Sequence, residues 1–342
     1  MECWLASEGF EAALLTELGP GARLLAPGVV AAEESPDAAR DPVFALQVLP
    51  RAAMIEAPSI ARLAAAAFDA LAGPLDAGGA WTLHATTALE PAPGEGALAA
   101  RAERVGAALR ELFQEKRRRT ARRLVAHADA AGSPDLTLAQ VVLAEQGRAL
   151  VSCAPARPLG AGGTWPEARF PGGRAPVEPD RTAPSSAHRK LEEAWALLGS
   201  EPGPGQRCAD LGGAPGGWSW AALRRGAAVV AIDRAPLLPP AAGHPQLEAR
   251  AGDAFRFRPE APLDWLLCDV IAAPARTLEL LDTWLGEGWC RRFVVNVKFT
   301  GEERAAPLAA LGALLERRGA RARVKHLVHD KNEVTAFGAA RA

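Results

Sequence analysis

The stretch CADLGGAPGGWSW, residues 208–220, decides the fold of the second half of the chain. It begins as an apolar strand, turns through a glycine-rich segment and continues as a helix. Glycine lets a chain turn sharply and lets its backbone approach a ligand closely. In open α/β sheets, ligands bind at the carboxyl ends of the strands, where such turns lie. The stretch therefore predicts a cofactor site.

The spacing of these glycines narrows the class of cofactor. Residues 212–217 read GGAPGG, whereas the turn that seats a dinucleotide pyrophosphate reads GxGxxG. We therefore predict a cofactor without a pyrophosphate. The same spacing disfavours a nicotinamide-dependent dehydrogenase.

Strands and helices alternate around this turn. Helices are predicted at 190–198, 218–225, 275–285 and 302–318, and strands at 206–211, 227–233, 263–269, 292–299, 324–328 and 333–337. Such alternation is typical of a parallel, doubly wound α/β sheet. The last two strands resemble a hairpin, which would add antiparallel strands at one end of that sheet.

Two acids follow strands on the way out of the turn. Asp233 ends the strand after the turn, where a carboxylate can accept hydrogen bonds from both ribose hydroxyls of an adenosine. Asp253, in AGDAF after another predicted strand, is placed to approach an adenine amino group. The alternative is a structural turn with acids that cap helices, and the order of these features along the chain favours the cofactor site.

Four further residues lie at strand ends or at the start of a helix: Lys190, Asp269, Lys298 and Glu333. Because the ends of neighbouring strands converge on one edge of a parallel sheet, these side chains could share one site. A ribose 2′-hydroxyl is a poor nucleophile at neutral pH and needs a base as it attacks a sulfonium methyl group. We assign Lys298 as that base, Asp269 as the group that orients it, and Lys190 and Glu333 as positioning partners.

A lysine can act as a base only if its pKa is lowered. We expect burial, the second lysine and the cationic sulfonium to lower the pKa of Lys298. Taken singly, each of these four residues could instead be a turn residue or a solvated cation.

Several blocks of the sequence resemble the FtsJ-like ribose methyltransferases, and most closely the family of 23S rRNA cytidine 2′-O-methyltransferase M, or RlmM. The blocks are SSAHRKLEEAW (185–195), CADLGGAPGGWSW (208–220), VVAID (229–233), LLCDV (266–270), GWCRRFVVNVKF (288–299) and HDKNEVTAF (329–337). They occur in order and cover roughly residues 160–342. One departure is Gly213-Ala214, where the family has Ala-Cys before Pro-Gly-Gly, and this change should leave the turn intact.

The resemblance implies a Rossmann-like S-adenosylmethionine-dependent methyltransferase domain at 185–342. It implies a catalytic tetrad of Lys190, Asp269, Lys298 and Glu333. The implied cofactor-binding residues are Ala214, Pro215, Gly216, Gly217, Asp233, Asp253 and Asp269. The implied reaction is 2′-O-ribose methylation of a cytidine in 23S rRNA or its precursor, with no metal ion, no DNA and no membrane as partner.

Residues 1–155 have an α+β pattern without a catalytic signature. The family resemblance implies an N-terminal RNA-binding THUMP domain there, and the pattern is compatible with it. Residues 156–184 are rich in Pro, Gly and Arg and predict a linker, partly ordered by Trp165 and Phe170.

A run of cations is the strongest local charge feature of the chain. Lys116 to Arg119, with Arg122 and Arg123, could bind RNA phosphates in a salt-dependent way. The alternative is a solvated helix end. The net charge of −1 means that any electrostatic argument for nucleic acid must be local.

The cysteine content and the length of the apolar runs indicate the cellular compartment. The five cysteines are widely spaced with no CxxC, which predicts reduced thiols and neither disulfides nor a zinc site. We see no signal peptide and no apolar run long enough to span a membrane, so we expect a cytoplasmic protein.

Two other functions stay open at this point. A base-directed RNA methyltransferase usually carries an N/D-P-P-aromatic motif, whereas residues 268–272 read CDVIA and lack both prolines. An RNA-binding ribosome-assembly factor with a vestigial S-adenosylmethionine site is the alternative from outside enzymes. Methyl transfer from labelled cofactor would separate it from an enzyme.

Overall fold

The computed structural model describes residues 1–32, 41–90, 96–127, 135–156 and 169–341. The chain divides into two compact units, Met1–Ala175 and Pro176–Ala342.

The boundary between the units falls inside the predicted linker, 156–184. Residues just before the boundary pack within unit 1: the Arg174 guanidinium donates to the carbonyl of Thr87 at 3.1 Å. Just after it, the Asp180 carboxylate accepts a hydrogen bond from the Trp220 indole at 3.0 Å within unit 2. Residues 157–168, including Trp165, lie outside the described residues.

Unit 1 contains two four-stranded sheets and the helices that pack against them. Its elements are β1 (Glu2–Ala6), α1 (Glu11–Leu18), β2 (Arg23–Ala26), β3 (Val29–Ala32), β4 (Ala45–Leu49), β5 (Ala53–Glu56), α2 (Ile60–Ala77), β6 (Trp81–Thr87), α3 (Ala97–Lys116), α4 (Arg118–Ala121), β7 (Thr137–Glu145) and β8 (Arg148–Pro155). The first sheet has the order β2-β3-β1-β4 and is antiparallel. The second has the order β5-β8-β7-β6, with only β6 and β7 parallel among its described pairs.

The core of unit 1 follows from the alternation of side chains along β7. Val141 packs with Leu71 of α2 and Leu109 of α3, on one face of the second sheet. The next residue, Val142, packs with Leu5 of the first sheet on the other face. Successive strand residues point to opposite faces, so β7 is buried on both sides. The α+β character predicted for this region agrees with these elements, while its identity as a THUMP domain stays a prediction.

Unit 2 contains one seven-stranded sheet with helices between its strands. Its elements are α5 (His188–Leu198), β9 (Arg207–Leu211), α6 (Gly217–Leu223), β10 (Ala228–Asp233), β11 (Leu247–Ala251), β12 (Leu263–Cys268), α7 (Pro274–Gly286), β13 (Cys290–Lys298), α8 (Ala305–Arg317), β14 (Arg321–Lys325) and β15 (Glu333–Ala339). These elements confirm the predicted α/β sheet.

The strand order of unit 2 is β11-β10-β9-β12-β13-β15-β14. The first five strands are parallel, and β15 is antiparallel to both β13 and β14. The chain therefore leaves central strand β9 in one direction and later returns to its other side with β12. A site is expected beside the carboxyl ends of β9 and β12, where the strand order reverses.

The predicted strand 324–328 is displaced in the structure. The hairpin exists, but β14 ends at Lys325. Carboxylates take the backbone N–H groups that follow: Asp330 accepts from Leu327 at 3.0 Å, and Glu193 accepts from Val328 at 2.9 Å. Because side chains satisfy these amides, residues 326–328 do not need a neighbouring strand.

Two smaller predictions concern thiols and membrane spans. All five cysteines are free, and four of them are buried, as expected for reduced structural thiols. Among the described residues, the helices fall short of the length and apolar content required to cross a bilayer.

Candidate active site

The glycine-rich turn begins where β9 ends, at Leu211, and closes where α6 begins, at Gly217. Gly212 has φ +78°, and a Cβ there would lie 3.0 Å from the backbone of Val270. Gly216 has φ +117°, which also favours glycine. The turn therefore requires glycine at both positions, as the sequence predicted.

Asp233 holds this turn from the end of β10. One carboxylate oxygen accepts from the Ala214 N–H at 3.0 Å, and the other from the Ala235 N–H at 2.9 Å. A carboxylate offers about four lone-pair sites, so acceptor capacity for a ligand remains. Asp253 is held in the same manner by the Phe255 N–H at 3.0 Å, and this hydrogen bond lowers its pKa.

A cavity of about 490 Å³ opens at this edge of the sheet, which is within the range of small-molecule sites. The predicted site residues that line it are Ala214, Pro215, Gly217, Asp233, Asp253, Asp269 and Lys298. Among the described residues, its lining does not include Gly216, Lys190 or Glu333. The structure thus brings both acids predicted to bind a cofactor, the turn and one lysine of the predicted tetrad to one cavity.

The residues around this cavity suit a nucleoside-containing cofactor. The Ser185 hydroxyl is buried in the cavity wall and has no hydrogen-bond partner in the described part of the chain. A buried polar group without a partner is costly, so a ligand atom bonded there would relieve the cost. Together with the acceptors on Asp233 and Asp253, this donor fits the polar groups of an adenosine.

Lys190, Asp269, Lys298 and Glu333 form a closed ring of alternating charges next to the cavity. Lys298 and Glu333 are direct cross-strand partners at the ends of β13 and β15, and their charged atoms lie 3.0 Å apart. Lys298 also bonds Asp269, and Lys190 bonds Glu333. The ring closes between Lys190 and Asp269 at 3.9 Å. The two lysines expected at one site therefore contact the same two carboxylates.

Exposure distinguishes the two lysines. The side chain of Lys298 is 22% exposed and that of Lys190 is 12% exposed. Only the former belongs to the cavity wall among the described residues. Lys298 is therefore the amine that a ligand in the cavity could reach.

The direction of the Lys298 pKa corrects the sequence-based expectation. Burial alone lowers the pKa of Lys298. The carboxylates of Asp269 and Glu333 raise this pKa by a larger amount, so the net pKa lies above the ordinary lysine value. For Glu333 the two effects have the opposite signs. Burial raises the pKa of Glu333, but the ammonium groups of Lys298 and Lys190 bring that pKa below its usual range. The sequence could not show that two carboxylates touch the same amine.

Sequence reasoning missed several residues of this region. Arg276 and Phe255 line the cavity, with the guanidinium 4.0 Å from the ring centroid. Asp210 lies buried under the turn and accepts from the Ser219 hydroxyl at 2.6 Å. Burial raises the pKa of Asp210 to about 7. Its place directly before the glycines was the signal that could have drawn attention to it.

The cationic run of unit 1 divides into two groups. Arg117 pairs with Asp76 at 3.0 Å, and Arg123 donates to the carbonyl of Leu75 at 2.7 Å, so both hold the end of α2. Apart from Arg117, which is exposed but paired, the exposed cations of the run are Lys116, Arg118, Arg119 and Arg122. The predicted basic run is therefore smaller as a binding surface than its sequence indicates.

Residues 184–305 match the family model described as FtsJ-like methyltransferase. Three similar proteins carry the name Ribosomal RNA large subunit methyltransferase M. That of Halorhodospira halophila is 39% identical over 178 residues, covering 51% of this chain and 52% of that protein. That of Laribacter hongkongensis is 42% identical over 170 residues, covering 45% and 47%, respectively. That of Azotobacter vinelandii is 40% identical over 183 residues, covering 49% and 51%.

The chain thus spans about half the length of the curated relatives it matches. The family match covers the glycine-rich turn, both cofactor acids and three members of the charged ring, while Glu333 lies beyond it. Residues 184–305 of this chain are an FtsJ-like methyltransferase domain.

Proposed function

We propose that the protein is a cytoplasmic, S-adenosylmethionine-dependent RNA methyltransferase that methylates a ribose 2′-hydroxyl, on a cytidine of 23S rRNA. The observation that carries the proposal is the charged ring at the cavity wall, with Lys298 facing the cavity. The names of the relatives support the large-subunit RNA as substrate.

The cofactor-binding side of the cavity consists of the glycine-rich turn and two acids. Asp233 would accept hydrogen bonds from the ribose of the cofactor, and Asp253 would approach its adenine. The bound cofactor supplies an activated methyl group on a sulfonium cation. Ala214, Pro215 and Gly217 present backbone and small side chains that allow close approach.

Lys298 performs the proton transfer in this proposal. Its neutral amine takes the proton that the 2′-oxygen loses as the oxygen–methyl bond forms and the sulfur–methyl bond of the sulfonium breaks. Asp269 and Glu333 hold the amine in place by their hydrogen bonds to it. The two carboxylates favour the ammonium form, and a further positive charge in the cavity shifts Lys298 back towards the neutral amine.

Lys190 balances the charge of the ring. Without it, Asp269 and Glu333 would place two negative charges against one ammonium and hold its proton more tightly. Lys190 bonds Glu333 from α5 and lies 3.9 Å from Asp269, so it opposes that effect. It acts as a positioning partner.

The RNA would also contact unit 1 through its exposed cations, Lys116, Arg118, Arg119 and Arg122. A THUMP-like role for unit 1 belongs to the same proposal. Splayed or single-stranded nucleotides are the accessible targets, because a ribose within an intact helix is hard to reach.

The deciding experiment is to identify the methylated atom. The protein is incubated with methyl-labelled S-adenosylmethionine and unmodified 23S rRNA, with 16S rRNA as the matched control, and the RNA is then hydrolysed in alkali. A 2′-O-methyl group blocks alkaline cleavage of the next phosphodiester, so label in an alkali-resistant dinucleotide starting with cytidine is expected from 23S rRNA alone. Label in mononucleotides would indicate base methylation. RNA binding without transfer would indicate an assembly factor with a vestigial site.

A further inference from the structure

Three buried polar side chains lie behind the charged ring. Asn296 on β13 and Thr335 on β15 are direct cross-strand partners, two residues before and after the pair Lys298 and Glu333. Side chains two apart on a strand share one face, so both pairs lie on the same side of the sheet. Asn296 and Thr335 are fully buried, and Asp330 is buried next to them. Polar groups in such a place are costly unless they are hydrogen-bonded.

These side chains form a continuous series that ends on Asp269. The Asn296 amide nitrogen donates to Asp269 Oδ1 at 3.0 Å, the oxygen that also accepts from Lys298. The Thr335 hydroxyl lies 2.7 Å from the Asn296 amide oxygen. The same hydroxyl lies 3.0 and 3.2 Å from the two carboxyl oxygens of Asp330.

Counting hydrogens fixes the direction of the series. Asp269 Oδ1 accepts from both Lys298 and Asn296, so Asn296 turns its NH₂ towards Asp269 and its oxygen towards Thr335. That oxygen needs a hydrogen, and Thr335 has only one to give. The close contact between Thr335 and Asp330 then requires a hydrogen supplied by Asp330. Asp330 is therefore a neutral carboxylic acid.

The surroundings of Asp330 favour the neutral acid. Burial raises the pKa of Asp330 well above its usual value, and the nearby carboxylates of Glu333 and Glu193 act in the same direction. The backbone N–H of Leu327 and the ammonium of Lys190 oppose this rise without reversing it. Glu333 lies on β15, and Glu193 and Lys190 lie on α5. A further buried cation, Lys325 at the end of β14, is the direct cross-strand partner of Thr335.

We propose that Asp330, Thr335 and Asn296 form a one-way hydrogen-bond chain that holds the Asp269 carboxylate in position against Lys298. This inference rests on the proposed function, because it makes all three positioning residues for the proposed methyl transfer. The Asn296 N–H shares the charge of Asp269 Oδ1. Without that donor, Asp269 binds the Lys298 proton more tightly, and Lys298 is less available as a base.

The test compares three substitutions in the full chain. Thr335→Val keeps the shape and removes the hydroxyl, whereas Thr335→Ser restores it. Asp330→Asn can donate its NH₂ to Thr335 and accept from Leu327 with its oxygen, so it reproduces the hydrogen-bond pattern of the neutral acid. Thr277→Val is the matched control, because Thr277 is a buried threonine on α7 outside the chain of hydrogen bonds.

Thr335→Val is expected to lower kcat about five- to tenfold, towards the upper limit for the loss of a hydrogen bond between neutral groups. The affinity for S-adenosylhomocysteine should stay unchanged. The rise of kcat with pH should move to higher pH, because Lys298, between Asp269, Glu333 and Lys190, holds its proton more tightly. Thr335→Ser and Asp330→Asn should both retain kcat within about threefold of the wild type.

Several results would overturn the inference while leaving the proposed function intact. These are wild-type kcat and pH profile in Thr335→Val, equal loss in Asp330→Asn, or loss of S-adenosylhomocysteine binding that parallels the loss of kcat. A Thr335→Val protein that does not fold leaves Asp330→Asn against Asp330→Ala to decide. Equal kcat in those two would also overturn it. Absence of transfer by the wild-type protein would instead refute the proposed function.

Discussion

The two units differ in whether they bury ionisable side chains. Among the described residues, every buried Asp, Glu, Lys or Arg lies in unit 2: Glu193, Asp210, Lys325, Asp330 and Glu333. Unit 1 buries neutral polar groups instead, such as Gln47 and Gln140, which bond each other at 3.0 Å. Burying an ionisable group usually costs stability, so the concentration of such groups in one unit marks where the fold favours chemistry over stability.

From this contrast we expect substitutions in the two units to have effects of different size. Single changes among the buried ionisable groups of unit 2 should have large effects, since each group has fixed partners and little water to replace them. Changes among the exposed cations of unit 1 should have small effects that add, since each acts through a screened field. A large effect from unit 1 or a negligible one from the ring would break the comparison.

The largest effect is expected at Lys298. Lys298→Met keeps the aliphatic stem and removes the amine, so methyl transfer should fall by about 10²–10⁴, the usual contribution of a general base. Binding of S-adenosylhomocysteine should change little, because cofactor contacts are assigned to other residues. Rates come from single-turnover transfer and affinities from calorimetry.

Lys331→Met is the matched control for this change, since Lys331 is an exposed lysine two residues from the ring. The pH dependence gives a second check: because the net pKa of Lys298 is raised, wild-type kcat should rise with pH as the ammonium loses its proton. A rate that is flat or falls over this range would argue against an amine base.

Asp210 should affect stability more than any exposed charge. Its folded pKa of about 7 exceeds the unfolded value, so its stabilising contribution is complete at low pH and is lost as pH rises through about 7. Relative to Asp210→Asn, the wild type should lose about 3 kcal/mol of unfolding free energy between about pH 5 and about pH 8. Urea unfolding of both proteins across this range measures the difference. Parallel pH dependences would show that Asp210 is ionised throughout.

Asp233 comes next in size. Asp233→Asn removes the charge but keeps one acceptor for the turn, and it should weaken cofactor binding about 10–100-fold, as expected for hydrogen bonds to a charged group. Calorimetry with S-adenosylhomocysteine is the measurement.

Asp264→Asn is the control for Asp233, because Asp264 lies at the amino end of β12 and accepts from the Arg207 N–H at 2.9 Å. Its cofactor affinity should match the wild type. Equal weakening in both variants would indicate a general loss of structure and not a ribose contact.

The smallest effect is expected in unit 1. Replacing Arg118 and Arg119 by Gln should weaken RNA binding and reduce the slope of log affinity against log salt by about 1.4, or about 0.7 per lost contact to a single strand. Titrations of labelled RNA at several salt concentrations give the slope.

Arg62→Gln is the control for this pair, since Arg62 is also exposed but lies near the other end of α2. An equal change of slope per charge in the control would show that unit 1 attracts RNA only through its overall charge. No change in either variant would exclude the run as the RNA contact.

The sequence predicted the parts of the site that local patterns encode. Asp233 and Lys298 each end an apolar strand, Asp269 directly follows one, and the parallel sheet brings such ends together. The glycine-rich turn could also be predicted from the sequence, because its backbone conformation requires glycine.

The remaining parts depend on contacts between distant segments. Asn296 and Thr335 look like ordinary strand residues until the antiparallel register pairs them. Arg117 and Arg123 look like free cations until α2 supplies Asp76 and a carbonyl more than 40 residues away. Short strands such as β1 and β3 are also hard to predict, because four or five apolar residues give little periodicity.

The antiparallel pairing of β13 with β15 links the register of these two strands to the catalytic activity of the protein. A slip of one residue would turn both Glu333 and Thr335 to the opposite face and bring Val334 opposite Lys298. Such a molecule would lose the acid beside the amine and the hydroxyl beside the amide at the same time. Specific activity therefore counts the fraction of molecules whose last strand has found its proper partner residues.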